Sequence, residues 1–191
     1  MNKSKILIIL GVLCLVCSFG LFGYNYYEDY QAKSHVDDVI QRIAFKEADM
    51  TYKQIPEKQM SVSYVDDIGY VGILILEDFN LQLPIVANYD EALLKVAPCR
   101  FQGSVYLDDM IIAGHNYSSH FGKIGLLNYG CKITFIDMNN NKFHYVVSDI
   151  LKIADYEYDK LVNDDYWDLT LFTCTLSRTS RIVIRCQKIE I

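Results

Sequence analysis

The sequence predicts an all-β fold, an eight-stranded closed β-barrel with short helices, preceded by an N-terminal transmembrane helix. Two observations support this prediction. An apolar run without charged residues fills the positions between Lys5 and Glu28. From about Tyr64 onwards, short runs rich in Val, Ile, Tyr, Phe and Thr alternate with turn signals and leave few helical patterns. The 191 residues suffice for one domain with its own hydrophobic core.

The apolar run is long enough to cross a hydrocarbon core of ~30 Å at a rise of ~1.5 Å per residue. Lys3 and Lys5 precede it, whereas Glu28 and Asp29 follow it. The positive-inside rule therefore places the N-terminus in the cytoplasm and the remaining chain outside the cell. No small-residue cleavage site follows the run, which argues against a removed signal peptide. We expect a single-pass protein of the cell membrane with an extracellular main domain.

Three parts of the chain are predicted. Residues 1–27 form the cytoplasmic tip and transmembrane anchor, residues 28–60 form an extracellular helical stalk or linker, and residues 61–191 form the β-barrel domain. The stalk carries apolar residues at helical spacing among polar ones. These residues are Val36, Val39, Ile40, Ile43 and Ala44.

Eight short strands are predicted in the third part. The segment "DMNNNK" separates two of them as a hairpin turn, and a helical turn is expected at "DEALLKVAP", where Pro98 ends it. The predicted strands are YVGILIL, LQLPIV, GSVYL, MIIAG, CKITFID, KFHYVVSDI, LTLFTC and RIVIRCQKI.

Neither a metal ion nor a nucleic acid is an expected partner. Asp137 begins an alternation of oxygen ligands that is typical of a calcium loop, but Lys142 and Ser148 replace the glycine and glutamate that such a loop needs. Calcium activation is thus unsupported, and no cofactor is expected. The net charge of −6 and the lack of a basic block argue against nucleic-acid binding.

Four cysteines lie beyond the predicted anchor: Cys99, Cys131, Cys174 and Cys186. In an oxidising space they could form two disulfides, in any of three pairings. A catalytic thiol would leave three of them, and then at most one bridge could form. A domain of this size does not need a disulfide, so we expect free thiols.

A thiol, an imidazole and a guanidinium stand at the ends of predicted strands. Cys174 ends LTLFTC, and the next strand begins at Arg181, which returns to the level of Cys174 if the two strands pair as antiparallel neighbours. His115 follows MIIAG, where Gly114 permits a close approach of backbone or substrate. A thiolate can attack a carbonyl, an imidazole can hold or donate a proton, and a guanidinium can stabilise an oxyanion. These three residues form a coherent nucleophilic site.

Other candidates fit this arrangement less well. Arg185 lies four residues beyond Arg181, ~13 Å away at the usual strand rise, and Arg178 lies within the connecting loop. Cys186 shares a strand face with apolar residues, which favours a role as a small core residue. We expect these three residues to serve in packing or at the surface.

Together these motifs resemble those of the sortases, the membrane-anchored cysteine transpeptidases of Gram-positive bacteria. "TLFTC" is similar to their Thr-Leu-x-Thr-Cys signature, "AGHN" to their histidine segment and "RIVI" to their arginine-bearing strand. The order of anchor, histidine, cysteine and arginine matches too, and "LPIV" and "HFGKIGLLNYG" stand in family-like places. The resemblance spans about Tyr70 to Ile189.

The resemblance implies a sortase-type eight-stranded β-barrel with Cys174 as nucleophile, His115 as general acid/base and Arg181 as stabiliser of the oxyanion and substrate. Sortases cleave an LPxTG-like signal of secreted proteins between Thr and Gly through a thioacyl-enzyme. An amine then resolves the thioester, either from a cell-wall peptidoglycan precursor of the lipid II type or from a pilin lysine. The loop "KIADYEYDKLVNDDYWD" would correspond to the segment that recognises the signal.

Two departures and two alternatives accompany the resemblance. Gly130-Cys131 stands where sortases commonly have Gly-Asp, which leaves the role of Cys131 open. The short chain and the gap between Cys174 and Arg181 resemble class D or class B rather than the pilin-polymerising class. The alternatives are a non-catalytic extracellular β-barrel for adhesion or scaffolding, and a tethered cysteine protease that only hydrolyses. Retention of all three residues argues against the first, and the histidine-before-cysteine order argues against a papain-like form of the second.

Overall fold

The computed structural model describes residues 3–47, 60–157, 159–162, 166–177 and 179–190. Single 3-10 turns lie at Glu77–Phe79, Leu93–Lys95 and Ile124–Leu126. The helices in the described ranges are α1 (Lys3–Glu47) and α2 (Asp159–Val162). The strands are β1 (Ser63–Val65), β2 (Ile68–Leu76), β3 (Leu81–Val86), β4 (Cys99–Gln102), β5 (Met110–Ala113), β6 (Lys132–Asp137), β7 (Lys142–Ala154), β8 (Leu169–Cys174) and β9 (Ser180–Ile189).

Strands β2 to β9 form a closed eight-stranded barrel, which confirms the predicted fold class. Their order around the barrel is β2-β3-β4-β5-β8-β9-β7-β6, and β6 pairs back onto β2 to close it. The β3–β4 and β5–β8 pairs are parallel, and the others are antiparallel. The short strand β1 extends the sheet beside β2. Closure gives the backbone groups at both edges of the sheet hydrogen-bonding partners.

Two groups of buried side chains lie on opposite faces of the strands that carry the site. The barrel interior holds one large cluster, which includes Leu171 of β8 and Ile184 of β9. A second cluster joins the other faces of β5, β8 and β9 to α2. Full burial of such a side chain contributes about 1.5–3 kcal/mol, and a slip of one residue would exchange the two faces. The two clusters therefore fix the register of the strand ends.

One predicted strand is wrong. The run GSVYL forms a turn, and the strand at this place is β4, which ends just before it. Gly103 adopts a φ of +74°, which ends the extended backbone, and the Asp109 carboxylate accepts a hydrogen bond of 2.8 Å from the Ser104 N–H. These local contacts outweigh the strand propensity of the apolar residues in the run.

The predicted hairpin turn at "DMNNNK" is confirmed between β6 and β7. The Asp137 carboxylate accepts hydrogen bonds from the backbone N–H groups of Asn139 and Asn141, at 2.9 and 2.8 Å. Its other oxygen accepts from the Tyr106 hydroxyl and from the Asn141 side chain. Asp137 thus serves to stabilise the turn.

Helix α1 runs without a break across the predicted boundary between residues 27 and 28. Within the described residues it is the one helix long and apolar enough to cross a membrane, a property that anchors and signal sequences share. Its apolar side chains before residue 28 are exposed. The two boundaries between the three predicted parts remain predictions, and residues 48–59 of the predicted stalk lie outside the described residues.

The second half of α1 packs on the barrel, mainly against β1 and β3. The side chains that it buries recur at helical spacing, as the sequence pattern indicates. Arg42 also forms an ion pair with Asp66, in the turn between β1 and β2, with one N–O distance of 2.6 Å. The buried residues of this face are Ala32, Val36, Val39 and Ile43.

Candidate active site

The three candidate residues lie at one end of the barrel, on neighbouring strands. Cys174 is the last residue of β8, and Arg181 of β9 is its cross-strand partner, as the sequence predicts for antiparallel neighbours. His115 follows β5, which runs parallel to β8 with Ala113 beside Phe172. His115 and Cys174 are each two residues beyond this pair, so the β5–β8 register puts them at the same height.

The side chains of Cys174 and Arg181 project on one side of the sheet, as those of cross-strand partners do. Each candidate stands two positions from a member of the second buried cluster, to which Ala113, Phe172 and Val183 belong. Residues two apart along a strand share a face. The thiol and the guanidinium therefore belong to one surface, beside an apolar floor, and His115 follows the strand β5 that borders it.

The thiol of Cys174 differs from the other thiols of the barrel in its exposure. Cys174 is exposed, whereas Cys99 and Cys186 are buried. Burial raises the pKa of Cys99 to about 11 and raises the pKa of Cys186 still further. Because the thiolate is the nucleophilic form, these two buried thiols are unsuited to chemistry. All six cysteines lie in the described ranges and are free thiols, as expected.

The guanidinium of Arg181 is held from the segment after β7. Its Nη1 donates a hydrogen bond of 3.0 Å to the Asp155 carbonyl and forms an ion pair with the Asp155 carboxylate. The Asp155 N–H in turn donates to the Thr179 carbonyl at 3.3 Å, at the end of the β7–β9 ladder. Two contacts from one residue orient the planar guanidinium of Arg181, whose cross-strand partner in β8 is Cys174.

Residues 115–122, hereafter the histidine loop, form a closed turn. The Phe121 N–H donates a hydrogen bond of 3.0 Å to the His115 carbonyl, and the Tyr117 carbonyl accepts from two later N–H groups of the loop. The His115 ring packs on the Tyr117 ring with a centroid distance of 4.9 Å. A Cβ on Gly114 would overlap the Phe121 ring, so the small residue before the histidine is required by packing.

The histidine loop also contains a fully buried histidine, His120. Its burial, helped by the nearby charge of His115, lowers the pKa of His120 from 6.5 to about 4. His120 is therefore neutral in the folded protein at neutral pH. Its position at the base of the loop favours a packing role.

We expect acid to destabilise the protein through His120. Between pH 6.5 and 4 the unfolded chain binds a proton at this residue and the folded chain does not, so the free energy of unfolding falls as the pH falls, by up to about 3 kcal/mol. Thermal unfolding of the full chain in detergent micelles, followed across this pH window, measures the effect. His120→Gln should flatten the dependence, and an equally steep slope in that variant would contradict the assignment.

An aromatic row lies beside the site, and no sequence pattern indicates it. Phe101 of β4 makes edge-to-face contacts with Phe172 at 5.4 Å and with Tyr89 at 5.1 Å between ring centroids. Burial raises the pKa of Tyr89, and nearby acidic groups and thiols, Cys174 among them, raise it further. The row therefore leads from the loop before β4 towards the thiol. The sequence pattern does not predict β4, so it does not indicate that Phe101 faces Phe172.

A comparison with known families decides what kind of domain this is. The family model of the sortase domain matches residues 74–189, which is more than half of the chain. The chain belongs to the sortase family. Sortases are cysteine transpeptidases, and membership makes the chain an enzyme of this kind. No curated protein matches the sequence significantly.

Solved sortase structures share the fold of this sortase. Sortase A from Corynebacterium diphtheriae is 14% identical with a TM-score of 0.60, covering 91% of this chain and 96% of that one. Sortase C from Clostridium perfringens SM101 is 22% identical with a TM-score of 0.54, covering 83% and 91%. Sortase C1 from Streptococcus suis is 19% identical with a TM-score of 0.56, covering 64% and 74%. At these identities the likeness shows the fold alone, and the class remains a prediction.

The segment between β7 and β8 is the part of this sortase predicted to recognise the signal. It contains α2, whose Leu161 is buried in the cluster beneath the site. Arg185 of β9 is 7% exposed, donates a hydrogen bond of 2.5 Å to the Lys160 carbonyl and stacks on Trp167 at 5.6 Å. The expected packing role of Arg185 is thus to support this segment. Residues 158, 163–165 and 178, the candidate Arg178 included, lie outside the described residues.

Cys131, whose role the sequence left open, takes part in the turn before β6. Its thiol donates a hydrogen bond of 2.7 Å to the Asp78 carboxylate, and its sulfur accepts one of 3.3 Å from the Asn128 N–H. Burial and the hydrogen bond to Asp78 raise the pKa of Cys131. These contacts indicate a structural role.

Proposed function

We propose that this sortase is a cell-membrane transpeptidase that cleaves an LPxTG-like sorting signal between Thr and Gly. It transfers the protein that carried the signal to an amine of the cell-wall precursor. Cys174 is the nucleophile, His115 the general acid/base and Arg181 the stabiliser of the oxyanion and substrate. The observation that carries the proposal is the cross-strand pairing of Cys174 with Arg181 beside the strand that leads to His115.

The reaction follows from these groups in two steps. The Cys174 thiolate attacks the threonine carbonyl carbon, and a C–S bond forms while Arg181 stabilises the negative charge on the oxygen. The C–N bond to glycine then breaks, and the leaving amine takes a proton from the His115 imidazolium. In the second step an acceptor amine attacks the thioester and returns a proton to His115, and the Cys174 thiolate leaves.

The surroundings of the thiol support this substrate class. Tyr89 and Phe101, backed by the buried Phe172, offer an apolar surface to the leucine and proline of the signal. The apolar first half of α1 would hold the enzyme in the membrane with its N-terminus in the cytoplasm. The catalytic domain would then lie outside the cell, where it can meet secreted substrates and a lipid-borne precursor. The gap between Cys174 and Arg181 favours class D or class B within the family.

Mass spectrometry of the full chain in detergent micelles tests the proposal. Incubation with an LPxTG-like peptide should give a thioacyl adduct on Cys174, and added triglycine should convert the adduct into a new amide product. An adduct on Cys131 or Cys186 would contradict the assignment. Hydrolysis without transfer would favour a tethered protease, and no reaction with any such peptide would favour an adhesion or scaffold module.

A further inference from the structure

We propose that Asp29 of the anchor helix is a positioning residue for His115, so that α1 forms part of the catalytic framework. The inference rests on the proposed role of His115 and adds a residue outside the barrel domain. In the sequence, Asp29 marks only the outer flank of the apolar run. In the structure, its side chain contacts the histidine loop.

Both carboxylate oxygens of Asp29 bind this loop. Oδ1 accepts hydrogen bonds from the Ser119 N–H at 3.2 Å and from the Ser119 hydroxyl at 3.1 Å. Oδ2 accepts a hydrogen bond from the Ser118 hydroxyl. Partial burial of Asp29 opposes its ionisation, but the hydrogen bonds from the two serines outweigh this effect and lower its pKa. Bonds to an ionised acceptor are stronger than neutral ones, and Ser119 is itself buried.

The loop transmits this contact to His115 because it is closed on itself. The Phe121 N–H binds the His115 carbonyl, and the Tyr117 carbonyl accepts from the N–H groups of His120 and Gly122 at 3.0 and 2.7 Å. On the barrel side, the Gly114 N–H donates to the Phe172 carbonyl at 3.0 Å. The loop is therefore held by β8 just before its first residue and by α1 at its middle.

The helix is a firm support for this contact. Beyond Asp29, α1 is fixed to the barrel by its buried apolar face and by the ion pair of Arg42 with Asp66. The carboxylate thus sits on a rigid element, and rigid elements place functional groups more accurately than loops do. Loss of the carboxylate would leave the outer side of the histidine loop without its charged acceptor.

Turnover of an LPxTG-like fluorogenic peptide by the full chain in detergent micelles tests the inference. Asp29→Ala should lower kcat by roughly 10-fold and change KM by less than about twofold, because misplacement of a catalytic group affects the chemical step. Asp29→Asn keeps an oxygen acceptor for Ser119 and should retain most of kcat. Glu28→Ala is the matched control, since Glu28 accepts its hydrogen bond from Tyr24 of the same helix. Equal losses in Glu28→Ala and Asp29→Ala would overturn the inference.

A double-mutant cycle tests whether Asp29 acts through Ser118 and Ser119. Replacing Ser118 and Ser119 together by alanine removes both hydroxyl donors but keeps the Ser119 N–H, so it should give most of the kcat loss of Asp29→Ala. The triple variant should lose no more than Asp29→Ala alone. Additive losses would show that Asp29 acts elsewhere. An inactive Cys174→Ala combined with an unchanged kcat in Asp29→Ala would remove this inference and leave the proposed function standing.

Hydrogen exchange provides a readout that needs no turnover. The amide protons of Ser119 and Phe121 should exchange faster in Asp29→Ala than in wild type, while Asp29→Asn and Glu28→Ala should stay close to wild type. Unchanged exchange in Asp29→Ala would overturn the inference even if no peptide were turned over.

Discussion

Cys174→Ala is expected to lower kcat for cleavage of an LPxTG-like peptide by at least about 10⁴-fold, since loss of the nucleophile removes the covalent route. Cys174 is the exposed thiol at the end of β8, opposite Arg181. The two buried thiols, Cys99 and Cys186, cannot replace it, because their raised pKa keeps them protonated. Product formation by the full chain in detergent micelles, followed by chromatography, gives the measurement.

The matched control for this prediction is Cys131→Ala. Cys131 is a partly exposed thiol of the same domain, but it binds Asp78 in the turn before β6. Its substitution should change kcat by less than about threefold, because surface substitutions away from a functional group usually have small effects. Peptide cleavage that persists in Cys174→Ala would remove the transpeptidase mechanism. Loss of cleavage in Cys131→Ala with Cys174 intact would indicate that Cys174 is not the nucleophile.

The sequence could predict that Cys174 and Arg181 lie opposite each other, because a short loop joins their two strands. Antiparallel neighbours with so short a connection return the chain to the same height, and counting residues then fixes the pair. The same count correctly placed Arg185 farther along the strand. It could not show that Arg185 is buried and binds the Lys160 carbonyl, because that contact depends on how a distant segment folds back.

The placement of His115 beside Cys174 could not be derived from local pattern. It depends on the parallel pairing of β5 with β8, two strands far apart in the sequence. Only the family resemblance indicated it. The histidine loop and Asp29 show the same limit, since their contact joins residues 90 positions apart. The wrong strand at GSVYL had the opposite cause, a local carboxylate contact from Asp109 that a propensity pattern does not register.

Arg181→Ala is expected to lower kcat/KM by about 100- to 1,000-fold, the usual range for loss of one oxyanion-stabilising group. Arg181 is the cross-strand partner of Cys174, and Asp155 orients its guanidinium. The kcat/KM of Arg181→Lys should lie between those of the wild type and Arg181→Ala, because an ammonium keeps the charge but loses the planar fork. Initial rates of peptide cleavage at several peptide concentrations separate kcat from KM.

Two control variants show whether the loss of kcat/KM in Arg181→Ala reflects catalysis rather than folding or surface charge. Lys152→Ala removes an exposed cation from β7, the strand that pairs with β9 beside Arg181, and should leave kcat/KM within about threefold. Arg185→Ala removes a buried guanidinium, so it should lower the melting temperature, whereas Arg181→Ala should not. A comparison per folded molecule should therefore show a far larger loss of turnover for Arg181→Ala. Equal losses in the two arginine variants would contradict the assignment of Arg181, because the strand register places only Arg181 opposite the thiol.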